Sequence, residues 1–178
     1  MSATRGPWCV IGAALLLGLG AARQAAAQDG QDLGIAIGAT PPSVTIQDLD
    51  GRPVNLGTLA AKKPMLIEFW ATWCPLCAAL MPQIDSAYAR YQSKVTFVAV
   101  AVAVNESPAS VKRHLAREPH AWPFLWDANG GAVRAFQAPS TSYVVVLDAT
   151  GKVVYTGLGE DQNIDAALQR VVGDGKGR

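Results

Sequence analysis

The chain has 178 residues, of which 50% are hydrophobic and 16% are charged, and this is enough for one domain with a sizeable core. Its 15 basic and 14 acidic residues nearly balance, so nothing in the charge points to a polyanion partner such as nucleic acid. The chain also lacks internal repeats, nucleotide-binding glycine loops and basic arrays, and we expect a monomer.

Residues 1–27 have the pattern of a secretory leader. Arg5 is the only charged residue before an apolar run of about 15 residues, and three consecutive alanines precede Gln28. The run is short for a membrane span, although an uncleaved leader could still tether the protein. We therefore predict that residues 1–27 are a signal peptide or membrane anchor. Cys9 lies within the run and is interpreted as one of its apolar residues.

Removing this leader simplifies the chemistry of the mature chain. Arg5 and Arg23 leave with it, so thirteen basic and fourteen acidic residues remain and the net charge becomes minus one. Only Cys74 and Cys77 remain of the three cysteines. A single pair in an exported protein predicts a redox site in an extracytoplasmic, periplasmic location.

The remaining chain divides into a lead-in, a domain and a tail. Residues 28–37 are rich in Gly, Gln and Asp and are predicted to be a flexible lead-in. The domain is expected over residues 38–172 and a disordered tail over 173–178. It should begin with an antiparallel hairpin, because two short extended segments flank the turn-forming run Asp-Leu-Asp-Gly-Arg-Pro.

A buried strand and a long helix follow the hairpin. Residues 65–70 are too continuously apolar for a strand with one wet face, so we predict burial on both faces. A helix should run from Pro75 to about Tyr91 and kink at Pro82 without ending there.

The rest of the pattern alternates strands and helices. Strands are predicted at 95–104, 124–126, 143–147 and 152–158, and helices at 108–117, 131–136 and 164–172. Parallel strands joined by helices and closed by an antiparallel hairpin give an α/β sandwich, with one central mixed sheet flanked by helices. His114 and His120 lie near the second of these helices and are interpreted as surface residues.

The two cysteines stand where the buried strand gives way to the helix. Pro75 suits the first turn of a helix, which places Cys74 at the helix N-terminus. Unpaired N–H groups and the helix dipole favour an anion there, so the Cys74 thiol should ionise readily. Cys77 lies one turn further along the same face, and the two sulfurs can close a small disulfide.

Two other interpretations of the Cys-x-x-Cys motif are weaker. A zinc site needs about four ligands, and the remaining candidates His114 and His120 are spaced unlike those of a zinc finger. A purely structural disulfide would close a loop too short to constrain the unfolded chain appreciably. Redox chemistry is therefore the favoured interpretation.

The motif FWATWCPLC, together with the order of elements, resembles the thioredoxin fold and more closely its exported TlpA-like, ResA-like branch. The resemblance covers residues 38–172. It includes the N-terminal stretch IGATPPSVTIQDLDGRPVNL, the pair Met81-Pro82 and the terminal hairpin VVLDATGKVVYTG.

The resemblance implies a role for four residues. Cys74 would be the attacking cysteine and Cys77 the resolving one. Glu68 stands in the position of a buried acid, and an acid inside an apolar strand is costly to ionise, which suits proton exchange with the second sulfur. Pro139 would be the cis-proline that lies opposite the disulfide, although the segment STSYVVVLD is a few residues longer than usual before its Asp.

Two further departures from the family pattern bear on chemistry. Leu80 replaces a Glu that many relatives carry just before Met-Pro, so one acid-base group is missing. The dipeptide between the cysteines is Pro75-Leu76, without a histidine, so the Cys74 thiolate gains little extra stabilisation. The second feature predicts a pair that acts as a reductant.

The predicted function is an exported thiol-disulfide oxidoreductase that reduces protein disulfides, for example in cytochrome c maturation. A membrane thiol electron donor would recycle it, and no cofactor or metal is needed. The first alternative is a peroxiredoxin-like peroxide reductase, a class that shares the fold but requires no Cys-x-x-Cys. The second is a copper-delivery module, which needs a third ligand that the residues around Pro139 do not supply.

Overall fold

A computed structural model describes Met1 and residues 33–60 and 62–173, which fold around one seven-stranded mixed sheet. The strands are β1 Thr45–Asp48, β2 Pro53–Asn55, β3 Met65–Trp70, β4 Thr96–Val102, β5 Phe124–Asp127, β6 Tyr143–Leu147 and β7 Val153–Leu158. The helices are α1 Leu56–Ala60, α2 Pro75–Tyr91, α3 Pro108–Arg117, α4 Gly131–Ala135 and α5 Ile164–Val172. The predicted α/β sandwich with an N-terminal hairpin is confirmed, and the short helix α1 is an addition to it.

Strand β3 occupies the centre of the sheet, whose order is β2-β1-β5-β4-β3-β6-β7. It runs parallel to β4 and antiparallel to β6, so that Glu68 lies opposite Ala99 on one side and Val144 on the other. All six residues of β3 are buried, as the unbroken apolar run predicts. The strand therefore holds Glu68 in the interior of the protein.

The two faces of β3 meet different layers, because successive side chains of a strand point to opposite sides. Phe69 packs against Phe136, which follows α4, with ring centroids 5.8 Å apart. Trp70 packs on the other side against His114 of α3, at 5.3 Å. Helix α2 covers this second side, which Glu68 shares with Trp70 because the two residues are two positions apart.

Helices α2 and α3 begin as the sequence predicts. Helix α2 continues through Pro82 for 17 residues. Ser107 caps α3 by accepting a hydrogen bond from the Ser110 N–H, and the Ser110 hydroxyl accepts one from the Ser107 N–H in return. This cap fixes where α3 starts.

The packed domain begins earlier than the predicted boundary at residue 38. Ile35 is only 4% exposed, and its N–H donates to the Phe136 carbonyl at 3.2 Å. The Tyr143 hydroxyl donates to the Leu33 carbonyl at 3.0 Å, and it lies so close to Gly34 that a Cβ atom there would be 2.2 Å away. Residues 33–35 are thus docked on the domain, which corrects the prediction of a flexible lead-in for these three residues. The leader, residues 28–32 and residues 174–178 lie outside the described residues.

Among residues 33–60 and 62–173, no helix is long and apolar enough to cross a bilayer.

Candidate active site

Cys74 and Cys77 form a disulfide at the start of α2, with their Cα atoms 5.3 Å apart. Cys74 is the N-cap residue of the helix, and its Sγ accepts a hydrogen bond from the Cys77 N–H at 3.1 Å. Pro75 fills the first helical position, where no N–H is needed. The Cys74 sulfur therefore sits at the positive end of the helix, where a thiolate is stabilised.

The two sulfur-bearing residues differ in access. Cys77 is 0% exposed, whereas Cys74 is 5% exposed and lines a cavity beside the helix. Trp73 and Leu76, the residues that flank this start of α2, are both about half exposed. An incoming thiol can reach the disulfide only from the Cys74 side.

The loop that carries Cys74 is fixed to the loop after β4. The Trp73 indole N–H donates to the Val104 carbonyl at 2.8 Å. The Thr72 hydroxyl donates to the Glu106 carboxylate, which also accepts a hydrogen bond from Ser110. Val104 is exposed, so it forms with Trp73 and Leu76 an apolar surface around the disulfide.

Glu68 is a fully buried acid without a hydrogen-bond partner. Its exposure is 0%, and neither carboxyl oxygen is hydrogen-bonded by a residue that the structure describes. Burial raises the pKa of Glu68 well above its usual range, and the negative charge of Asp85 raises that pKa further. Glu68 therefore holds a proton under conditions in which an exposed carboxyl would be ionised. The predicted burial of this side chain is confirmed.

A cavity of about 180 Å³ opens beside Cys74, between α2 and the region of α3. Its lining combines the aromatic and apolar side chains of Trp70 and Met81 with several titratable groups. These groups are Asp85, His114, Glu118 and His120, and the disulfide-bonded Cys74 lies beside them. The cavity thus connects the sulfur at the helix start with a set of acids and bases.

Asp85 is the most heavily hydrogen-bonded of these groups. Both of its carboxylate oxygens lie 3.0 Å from Nδ1 of His120, and Oδ1 accepts the indole N–H of Trp122 at 2.8 Å. A carboxylate only accepts hydrogen bonds, so an ionised Asp85 would pair with the tautomer of His120 that carries its hydrogen on Nδ1. His114 forms a second, longer contact, with Nε2 3.7 Å from the Glu118 carboxylate.

The interpretation of the two histidines as surface residues is wrong. The side chains of His114 and His120 are only 16% and 10% exposed, and both face the same cavity as Cys74. Asp85 and Trp122 were not singled out from the sequence. No local signal could have joined them to His120, because Asp85 lies 35 residues away along the chain and the group forms only in the folded protein.

The expectation of a cis-proline at residue 139 is also wrong. Every peptide bond within the described residues is trans, and Pro139 is exposed. Because the segment before β6 is longer, Ser142 and not Pro139 is the residue that directly precedes β6 and lies beside β3. The Ser142 N–H donates to the Phe69 carbonyl at 2.7 Å, a bond that proline cannot make.

A metal centre would need several ligands in one place. Within residues 33–60 and 62–173, no group of three or more His, Cys, Asp or Glu side chains is arranged to hold a metal ion.

Known proteins with similar sequences are disulfide-exchanging enzymes. The thiol-disulfide oxidoreductase ResA of Geobacillus thermodenitrificans is 28% identical over 139 residues, which cover 77% of this chain and 79% of the relative. The protein of the same name from Bacillus cereus is 26% identical over 137 residues, covering 76% of this chain and 78% of that protein.

Solved structures agree with this relationship. The thiol:disulfide interchange protein of the thioredoxin family from Chlorobium tepidum superposes with a TM-score of 0.63 at 26% identity. The match covers 78% of this chain and 99% of that protein. The thioredoxin domain of a thiol-disulfide oxidoreductase from Bacteroides vulgatus gives a TM-score of 0.66 at 20% identity, covering 77% of this chain and 99% of its own, and it supports the fold.

The family model described as Redoxin matches residues 36–171, which is most of the chain and includes both cysteines. The chain belongs to the Redoxin family, and it is a thiol-disulfide oxidoreductase of the TlpA-like, ResA-like kind with a thioredoxin fold.

Proposed function

We propose that this chain is an exported reductase of protein disulfides, in which Cys74 attacks and Cys77 resolves. The observation that carries the proposal is the unequal placement of the two sulfurs. Cys74 caps α2 at the mouth of the cavity, whereas Cys77 is fully buried one turn further along. Only the first sulfur is both accessible and stabilised as a thiolate.

The reaction follows from this arrangement. The Cys74 thiolate bonds to one sulfur of a client disulfide, and the other client sulfur leaves as a thiolate that takes up a proton. Cys77 then gives up its proton and attacks the Cys74 sulfur, which releases the second client thiol and closes the Cys74–Cys77 disulfide. Two electrons pass from the pair to the client, and a membrane thiol donor restores them.

Glu68 is proposed to exchange the proton of Cys77. It lies in β3 on the face of the sheet that α2 covers, and burial keeps its proton affinity high. When Cys77 attacks, an ionised Glu68 accepts its proton. When a donor reduces the disulfide, the protonated Glu68 neutralises the departing Cys77 thiolate.

A protein client suits the surface around the disulfide. Trp73, Leu76 and Val104 present exposed apolar area next to Cys74, and aromatic and aliphatic side chains of this kind supply contact area in protein interfaces. The resemblance to the TlpA-like branch supports apocytochrome c as one such client and an extracytoplasmic, periplasmic location for the reaction.

The charges of the cavity support a reductant. A histidine that is charged and close to Cys74 would stabilise its thiolate and make the pair more oxidising. Each cavity histidine, however, has an acidic partner, Glu118 for His114 and Asp85 for His120. These carboxylates offset the positive charge that either histidine would carry when protonated.

Trapping of mixed disulfides tests the two cysteine roles. We expect Cys77→Ser to accumulate mixed disulfides with client proteins through Cys74, because the resolving thiol is missing. Cys74→Ser is the matched control and should trap almost none, since Cys77 is buried. Mass spectrometry of non-reduced complexes gives the answer, and equal trapping by both variants would contradict the assignment.

The direction of electron flow needs a separate measurement. Equilibration of the chain with a glutathione buffer of oxidising, periplasm-like ratio should leave the Cys74–Cys77 pair mostly as a disulfide, as expected for a reductant. A pair that stays mostly reduced in this buffer would place the protein among the enzymes that make disulfides.

A further inference from the structure

The loop between β3 and α2 carries two side chains whose hydrogen-bond donors are both used inside the protein. The Trp73 indole N–H donates to the Val104 carbonyl at 2.8 Å, and the Thr72 hydroxyl donates to Oε1 of Glu106. An indole and a hydroxyl each have a single donor hydrogen. Neither side chain therefore has a hydrogen left to donate to a client, although Trp73 is 48% exposed beside Cys74.

Glu106 is held on its other side by helix α3. Its Oε2 accepts a hydrogen bond from the Ser110 hydroxyl at 3.3 Å. This is the weaker support, because the same hydroxyl also lies 2.8 Å from the Ser107 carbonyl. Glu106 directly precedes the N-cap of α3, where the helix dipole favours a carboxylate. One carboxylate thus joins the loop that carries Cys74 to a helix start that has its own cap.

The segment that supplies the two acceptors has a defined conformation. Asn105, between Val104 and Glu106, has a φ of 51°, in the left-handed region that asparagine adopts more readily than most residues. Residues in this region persist where their surroundings hold them. The residues on both sides of Asn105 contact the Cys74 loop, so the two loops are ordered together.

We propose that Glu106 and Thr72 are positioning residues that hold Trp73 in place before a client arrives, and that the matching client segment has an apolar residue beside its reactive cysteine. The inference rests on the proposed function, because it specifies which protein disulfides the chain reduces. The apolar contact comes from the Trp73 ring together with Leu76 and Val104, which are exposed around the disulfide.

The preference follows from what the ordered loop offers. A half-exposed side chain loses freedom when a partner binds, and this loss weakens binding. The bond to the Val104 carbonyl restricts Trp73 in advance, so the client does not bear that cost. An apolar client side chain gains from contact with the ring. A polar one would lose water without finding a donor on Trp73 or Thr72.

Hydrogen exchange of the Trp73 indole N–H tests the positioning role without any client. NMR of the full chain with labelled Trp nitrogens measures it, and Trp73→Phe identifies the signal. We expect Glu106→Ala to speed this exchange about fivefold, the effect of losing one ordinary hydrogen bond. Glu106→Gln should retain slow exchange, because Gln still offers an oxygen to Thr72.

Reduction of two synthetic peptide disulfides tests the client preference. The peptides differ only in the residue beside the cysteine, which is Leu in one and Ser in the other. We expect the unaltered chain to have a KM about fivefold lower for the Leu peptide. Glu106→Ala should remove most of this preference through KM rather than kcat. Reduction of hydroxyethyl disulfide, which has no such neighbour, reports the intrinsic reactivity of Cys74.

Two further variants separate position from fold. Asp50→Ala removes an acid of the β1–β2 turn that contacts Lys112 of α3 at 2.6 Å, and it should keep both the slow exchange and the Leu preference. Thr72→Val removes the other half of the Glu106 contact and should reproduce the effects of Glu106→Ala. The double variant should be no worse than either single one, because both act through one contact.

Unchanged indole exchange in both Glu106→Ala and Thr72→Val would overturn the positioning role. Equal effects of Glu106→Gln and Glu106→Ala would assign the result to charge and contradict it as well. A chain that reduces hydroxyethyl disulfide but neither peptide contradicts the proposed function, and the inference falls with it. A chain that reduces both peptides with equal KM contradicts the inference alone.

Discussion

Glu68 and Asp127 are both buried carboxyl side chains of the same sheet, yet they occupy opposite kinds of environment. Asp127 ends β5 and accepts the N–H of Val133 at 2.9 Å, which satisfies a donor in the first turn of α4. Glu68 lies in the middle of β3, and neither of its oxygens has a partner among the described residues. A buried acid at a strand end can serve the fold, whereas one in mid-strand is costly to it.

This difference assigns a stabilising role to Asp127 and a chemical role to Glu68. A carboxylate that accepts backbone hydrogen bonds at a helix start stabilises the native structure. A buried carboxyl without a partner destabilises the native structure at any pH at which the same carboxyl would be ionised in the unfolded chain. The presence of Glu68 at this position therefore requires another explanation. The position of Glu68 beneath the helix that bears the disulfide supplies one. The first two of the following three experiments test the contrast, and the third tests a residue outside it.

The largest effect is expected from Glu68→Gln on stability. Because the pKa of Glu68 is raised in the folded chain, the unfolded chain loses this proton first as pH rises above about 4.5, and the native state becomes less stable. The variant lacks this loss. The difference between its free energy of unfolding and that of the unaltered chain should therefore increase by about 1.4 kcal/mol per pH unit, in favour of the variant. The gain should continue until the folded carboxyl itself ionises.

Urea unfolding at a series of pH values from 4 to 8 measures this difference. Equal pH dependence in the two proteins would show that Glu68 is ionised or hydrated in the native state, and the contrast with Asp127 would then disappear.

An intermediate effect is expected from Asp127→Ala. Removal of the acceptor leaves the Val133 N–H unsatisfied and should lower the free energy of unfolding by about 1–3 kcal/mol. The reduction potential of the Cys74–Cys77 pair should not move, because this carboxylate lies at the opposite side of the sheet from α2. Urea unfolding and glutathione equilibration give the two values, and a shifted potential would show that the two regions are coupled.

The smallest effect is expected from Pro139→Ala. Pro139 is exposed and its peptide bond is trans, so the change should alter the free energy of unfolding by about 0.5 kcal/mol or less. The rate of disulfide reduction should be unchanged. Stopped-flow reduction by a dithiol checks this, and a large loss of rate would restore the role in the active site that the family resemblance implied for Pro139.

The sequence was sufficient for the parts of the molecule that depend on neighbouring residues. The unbroken apolar run of β3 predicted the burial of Glu68, and Cys74-Pro75 predicted the start of α2. Helix α1 was not predicted, because Leu56–Ala60 is too short to show a helical period.

The parts that failed depend on contacts between distant residues. Residues 33–37 follow a polar stretch, and the groups that tie their first residues to the domain, the Phe136 carbonyl and the Tyr143 hydroxyl, lie more than 100 residues away. His120 looks like an exposed residue until Asp85 and Trp122 are placed beside it. In both cases the partner comes from a different element, so no local pattern could have revealed it.

The Cys74 sulfur has two duties at once, because it is the reactive atom and also the cap that accepts the Cys77 N–H. Each turn of the redox cycle changes its charge and its covalent partner, and therefore changes the strength of that cap. The stability of the first helical turn of α2 should therefore differ between the redox states of the pair. Amide hydrogen exchange at the start of this helix would then differ between the oxidised, mixed-disulfide and reduced forms, so a client or donor could distinguish these states by backbone mobility.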